Sequence, residues 1–432
     1  MTDALSDNPA EMAHRAHQDH PDHPDRLDRK TAALVFLVFA AAYFSSALVR
    51  SITATLSPVL TQEFSLQARD LGLLAGGYFF GFAATQLPLG AWLDRHGPKR
   101  VILWFLSLAV VGCLAFSAAS SFSGLLASRV LVGMGVSACL MAPLTGYRRW
   151  FDAAALLRAN SWMLMVGSLG MLASTLPVQW LVPLTGWRPL FWILAALLLL
   201  SMAGIAYVTP VWKATPTPGV SNLPPAPASY APVWKSRYFR KMAPLAFFNY
   251  GGMVAIQTLW AGPWMARVAG YSPIEAATGL FYLNGAMLLT FLAWGLVTPW
   301  LAQRGWNATR LMTWGIPLSL LALAFNMLSG AQTGWLGWTL FCMASSVMGL
   351  AQPAVGMAFQ ASLAGRALSA YNLVIFSGVF VAQWGIGLLV DAFAALGLGT
   401  VASFQAAMGV FLCCCIASYG YFLSVNADNS PQ

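Results

Sequence analysis

Charge is what this chain of 432 residues has least of: Asp, Glu, Lys and Arg together make up 9% of it, against about 25% in a typical soluble domain. With 58% hydrophobic and 13% aromatic residues, a water-soluble globule is excluded and a polytopic membrane protein is implied. Histidine is nearly missing from the apolar part: of the five, four fall within the first 23 residues and the fifth, His96, sits in a loop. There is no acid pair at catalytic spacing and no glycine-rich phosphate loop after a strand pattern, which removes the common soluble-enzyme constellations and an ATP-driven pump. The six cysteines, Cys113, Cys139, Cys342, Cys413, Cys414 and Cys415, lie in apolar runs without ligand spacing. They read as small core hydrophobes, and neither metal nor cofactor is expected.

What is present is a succession of apolar runs, each long enough to cross about 30 Å of hydrocarbon as a helix. The expected spans are 31–60, 70–93, 101–120, 124–146, 159–182 and 188–208, then 242–268, 275–300, 310–329, 334–358, 368–391 and 399–424. Residues 1–30 are polar, lack the apolar segment of a signal peptide, and read as a disordered tail. His14, His17, His20 and His23 repeat there at every third position, a spacing open to a metal but more simply a polar tail. Residues 209–241 carry T-P-T-P-G and N-L-P-P-A-P-A-S and read as a linker between residues 31–208 and 242–424, with a second short tail at 425–432.

The net charge of +9 is distributed by side. With the amino terminus in the cytoplasm, eighteen basic residues fall in inner segments and three, Arg69, Arg188 and Arg267, in outer ones, while Arg50 and Arg129 lie inside helices; these account for all 23. Both termini are therefore expected in the cytoplasm, at the cell's inner membrane. The same asymmetry assigns the positive charge to a lipid bilayer rather than to nucleic acid.

Two landmarks repeat. The basic loop at Arg95 is answered at Arg304, 209 residues on, and Arg158-Ala159 is answered by Arg366-Ala367, 208 residues on. Equal offsets imply a duplicated six-helix unit, as in a transporter that rocks two bundles about a central site.

Between the second and third runs stands G-A-W-L-D-R-H-G-P-K-R, residues 90–100. Gly90 permits close helix approach, Asp94 and Arg95 bring opposite charges to the membrane face, and Gly97-Pro98 forces a turn that Lys99 and Arg100 hold on the positive side. This loop resembles the one between helices two and three of the major facilitator superfamily. The resemblance implies an all-α membrane protein of twelve transmembrane helices, arranged as two pseudo-symmetric six-helix bundles and working by alternating access. It also implies that Gly90, Asp94, Arg95, Gly97, Lys99 and Arg100 govern closure of the inner side. The answering loop at Arg304 lacks the acid, so that role falls to the first copy.

Arg50, some twenty residues into the first run, is costly in hydrocarbon and must face a wet cavity or a partner. The stretches Y-F-S-S-A-L-V-R, residues 43–50, T-Q-E-F, residues 61–64, and L-G-L-L-A-G-G-Y-F-F, residues 71–80, resemble the first two helices of the anion:cation symporters. In that branch the matching arginine binds an anionic substrate, usually a carboxylate, which suits a planar guanidinium. Two readings stay open for Arg50: substrate binding, or snorkelling to the outer face or pairing with Glu63 as a latch. The branch's acids, just before the arginine and in the fourth helix, are replaced here by Val49 and Val136. Arg129 opens the fourth helix, where structure and substrate contact are equally available roles, and Asp391 is expected at a membrane face.

The seventh run offers a polar and aromatic face through Asn249, Tyr250, Gln257, Trp260 and Trp264. Position 258 answers Arg50 by the repeat offset, so this face is expected across the cavity from it. Asn284, Gln352, Asn372 and Gln383 are further amides that bind substrate or join helices. The reading is a monomeric carrier of a small organic anion with no enzymatic activity, with a co-transported proton or cation as an allowed partner. Its rivals are an exporter of amphipathic compounds and a non-transporting receptor or assembly partner.

Overall fold

The computed structural model describes residues 26–212 and 229–425. The histidine repeat and most of the proline-rich linker lie outside the described residues, and every regular element among the described residues is helical. Helix is the form that apolar segments must take in hydrocarbon, where the backbone finds hydrogen-bond partners only within itself.

The first half comprises α1 (Arg29–Phe64), α2 (Ala68–Ala84), α3 (Gln86–Ala118), α4 (Phe122–Val136), α5 (Ala138–Trp150), α6 (Ala153–Ala173), α7 (Leu176–Thr185) and α8 (Trp187–Val208). The second comprises α9 (Ala231–Lys235), α10 (Arg237–Leu245), α11 (Gly251–Ala255), α12 (Ala261–Arg267), α13 (Pro273–Gln303), α14 (Ala308–Ser329), α15 (Trp335–Ser345), α16 (Ala351–Met357), α17 (Ala361–Ala395) and α18 (Thr400–Ser424). Among the described residues nine helices are long and apolar enough to cross a membrane, or ten if the pair Arg158–Ala173 and Leu176–Thr185, bent by 42°, counts as one crossing.

The remaining crossings of the twelve-helix expectation are interrupted ones. The second is α2 plus the start of α3, interrupted at Thr85, whose hydroxyl donates to the Ser137 hydroxyl at 2.8 Å. The seventh is α10 to α12, joined by π-helical turns at Ala246–Tyr250 and Ile256–Trp260. Insertions of this kind are a feature of functional helices.

Several sequence-based boundaries shift. The stretch at residues 90–100 is not an open loop; helix runs through it and breaks at Gly97, whose φ of 77° lies in the left-handed region that a side chain disfavours. The linker expected over 209–241 already becomes helical at Ala231, and the seventh crossing starts at Arg237, where the Ser236 hydroxyl accepts the Phe239 N–H at 3.4 Å.

The two halves meet chiefly where α2 packs on α17. Two glycine stripes make α2 thin enough for this: a Cβ at Gly72 would strike the Gln383 carbonyl of α17, and one at Gly81 would strike the Val130 carbonyl of α4. α2 is thereby clamped between its own half and the other. The α1 backbone also meets α12, with the Ala54 carbonyl 3.0 Å from where a Gly262 side chain would begin.

Candidate functional site

α1 is 36 residues long, about 54 Å at the helical rise of 1.5 Å per residue. Arg50 therefore lies about 21 Å short of the Phe64 end, farther than an arginine side chain reaches. Glu63 is engaged elsewhere: its Oε1 pairs with Arg188 Nη1 at 2.7 Å, and its Oε2 accepts from Trp187 Nε1 at 2.6 Å. The Glu63-latch reading of Arg50 therefore loses its partner.

Arg50 instead keeps its guanidinium inside the bundle, half-buried. Nη2 stands 3.6 Å from Met171 Sδ of α6, and Nε is buried with no hydrogen-bond partner. The helix that carries it packs on the Ile256–Trp260 turn of the seventh crossing and on α12, so α1 borders the other half. Among the described residues no carboxylate pairs with Arg50.

A second arginine stands behind the first. Arg129 of α4 is 0% exposed, its guanidinium lies 5.3 Å from the centre of the Tyr78 ring, and its Nη1 donates to the Val49 carbonyl at 2.9 Å. Its Nε and Nη2 are buried without partners. Desolvated, unfilled guanidinium donors are expensive. Two of them without an acid between make a place suited to an anion.

Of the residues expected to face this site, Tyr250 is half-buried in the seventh crossing, and the others bond to one another or to neighbouring helices. Asn249 points away to α18, donating from Nδ2 to Ser418 Oγ at 2.7 Å. Gln257 Nε2 donates to Asn284 Oδ1 at 3.0 Å, and Gln352 Nε2 to Asn372 Oδ1 at 2.8 Å. Trp260 Nε1 donates to the Gln383 carbonyl at 3.1 Å, while Gln383 Nε2 donates to Thr258 Oγ1 at 3.0 Å, leaving Gln383 Oε1 buried and unpartnered. Trp264 is fully buried against Trp338 at 5.1 Å.

Tyr78 and Met171 were not among the expected site residues. Tyr78 had a readable signal: it follows Gly76-Gly77 within two glycine stripes four residues apart, Gly72 with Gly76 and Gly77 with Gly81. Glycines packed on two sides bring the intervening phenol into the seam. Met171 had no signal beyond being apolar.

At the opposite end of α2, the expected gating residues meet the two ends of the linker. Lys99 Nζ donates to the Thr209 carbonyl at 2.7 Å, and Trp212 lies where a side chain on Gly97 would stand. Tyr230 donates its hydroxyl to the Leu87 carbonyl at 3.1 Å, and Arg366 of α17 donates to the Ser229 carbonyl at 3.1 Å. Burial raises the Tyr230 phenol above its ordinary range, with Arg366 opposing and Asp94 adding to the effect. Asp94, Arg95 and Arg100 are exposed, and Gly90 has only Ser369 Oγ within 4 Å, at 3.9 Å from an added Cβ.

Asp391 lies at the far face, as expected, and bridges the halves there. Its Oδ1 accepts from the Ala68 N–H at 3.1 Å and its Oδ2 from the Arg69 N–H at 2.9 Å, so a carboxylate of α17 caps the positive end of α2.

A family model described as the Major Facilitator Superfamily matches residues 39–383. The probable L-galactonate transporter of Escherichia coli (strain K12) is 25% identical over 441 residues, covering 93% of this chain and 91% of its own. The hexuronate transporter of the same strain is 27% identical over 150 residues, so this chain spans about a third, 35%, of that relative's length. Among solved structures, an inward-facing, unoccupied bacterial homologue of the human lysosomal transporter Spinster shares the fold, with a TM-score of 0.74 at 17% identity over 92% of this chain and 97% of that one. Apolar helices, two of the crossings interrupted, and a family match over most of the length lead to one conclusion: the chain belongs to the Major Facilitator Superfamily, a family of multi-pass membrane transporters and not of enzymes.

Proposed function

We propose that this transporter moves a small organic anion across the inner membrane by alternating access, with Arg50 as the anion-binding group. The observation that carries the reading is a half-buried guanidinium deep in α1 with an unfilled Nε donor and no carboxylate partner among the described residues. Arg129 supplies a second positive charge, with the Tyr78 ring 5.3 Å from it, and Tyr250 of the seventh crossing is the phenol we assign to the cargo's hydroxyls from the other half. A carboxylate entering there would gain charge-assisted hydrogen bonds that rigid-body rocking of the halves could enclose. Relatives named for hexuronate and L-galactonate support a sugar-acid-sized cargo. Uptake toward the cytoplasm, termini on that side and a monomeric carrier complete the proposal, with Asp94, Arg95 and Arg100 governing closure at the linker face.

A thermal-shift series on the purified protein tests the substrate class. Hexuronates and aldonates should raise the melting temperature, because only a ligand preferring the native state does so. The corresponding neutral sugars should not. Equal stabilisation by neutral sugar and acid would contradict a site built on guanidinium charge.

A further inference from the structure

At the linker face, on the side of the first half where the ends of α1, α5 and α6 converge, lies a groove of about 680 Å³. Its rim carries Arg29 and Arg158, both exposed, and its walls include Phe36, Leu37, Trp150 and Trp162. The Leu27 N–H donates to the Trp150 carbonyl at 3.1 Å, tying the start of α1 to the end of α5, and Phe36 meets Trp162 edge-on at 6.5 Å to form the floor. From Arg29 to Leu37 the groove descends about 12 Å along the helix axis, from a charged rim into apolar surface. Leu37 and Trp162 are each 58% exposed.

The charges have an unusual placement. Arg29 stands in the first turn of α1 and Arg158 in the second turn of α6, where the positive helix end disfavours a cation. The nearby acids are committed to the backbone: Asp28 accepts from the Lys30 and Thr31 N–H groups, and Asp152 from the Ala155 N–H at 2.6 Å. These two carboxylates, Asp152 among the groove's own lining, offset the two helix ends and leave the Arg29 and Arg158 guanidinium groups without a carboxylate partner in the described residues, on the rim of an apolar trench.

We propose that this groove seats one anionic phospholipid, its phosphate between Arg29 and Arg158 and an acyl chain along Phe36, Leu37 and Trp162. Charge complementarity selects the headgroup, and the descent from charged rim to apolar wall selects a lipid over a free anion. The site lies at the far end of α1 from the anion site and does not rest on the anion reading. A lipid wedged there would touch both α1, which carries Arg50, and α6, which carries Met171.

Native mass spectrometry of the full-length protein, released from nanodiscs holding equal phosphatidylglycerol and phosphatidylcholine, tests the site. Wild type should retain one phosphatidylglycerol, and the double variant Arg29→Gln with Arg158→Gln should lose at least fivefold of that occupancy. Arg26→Gln with Lys30→Gln, neither of which lines the groove, should keep it. Arg29→Lys with Arg158→Lys, which preserves charge and guards against misfolding as the explanation, should keep most of it. Equal retention of both lipids by wild type, or equal losses in the two Gln double variants, would overturn the site in favour of diffuse surface attraction.

Discussion

Arg129 reaches from α4 across to α1 and donates Nη1 to the carbonyl of Val49, the residue beside Arg50, at 2.9 Å. One arginine thereby fixes the backbone from which the other projects, while keeping two donors of its own unfilled. A purely structural arginine would fill them.

Arg129→Leu follows from that arrangement. Loss of one hydrogen bond costs about 1 kcal/mol, but removal of a poorly paired buried cation returns roughly as much or more. The melting temperature should hold or rise by a few degrees, while transport falls at least tenfold. A variant that melts several degrees lower and transports normally would make Arg129 interhelix glue.

Gly72→Ala and Gly90→Ala should differ, although both glycines lie along the second crossing. A methyl group at Gly72 meets the Gln383 carbonyl, whereas at Gly90 the nearest atom is Ser369 Oγ at 3.9 Å. Overpacking of a tight contact costs about 1–3 kcal/mol, so the first should lower the melting temperature by several degrees and the second should leave it unchanged. Indistinguishable melting curves would mean that α2 and α17 are less closely apposed.

Asp391→Asn should loosen the halves at the face away from the linker. The amide keeps one acceptor but turns an N–H toward one of the two α2 amides, and it loses the charge that complements the helix end. A cysteine placed at Ala54, buried where α1 meets Gly262, should then react faster with a membrane-impermeant maleimide, read against the same cysteine in the Asp391 background. No change in rate would remove Asp391 as a latch.

Much of the fold was legible because hydrocarbon allows one kind of backbone. Apolar length located the crossings, and the offsets of 209 and 208 residues signalled duplication. What stayed hidden depended on packing. At the break in the second crossing Thr85 bonds to Ser137, and the sequence contains no mark that pairs positions 52 residues apart. The amides were visible as polar groups in apolar runs, but their facing was not. Asn249 turned to Ser418, and Gln257 turned to Asn284, because an amide in a helix seam is satisfied by whichever neighbour the rotation presents. Arg50 could be singled out by cost alone. That Glu63 is taken by Arg188 and Trp187, and so is no latch for Arg50, required the folded chain.

Uptake of labelled organic carboxylates into proteoliposomes, compared between wild type and Arg50→Ala at matched protein content, is the most direct measurement of the central claim. Wild type should accumulate the anion, and the variant, equally folded by its melting curve, should fall to the level of empty liposomes. Undiminished uptake by Arg50→Ala would show that the cargo's charge is met elsewhere.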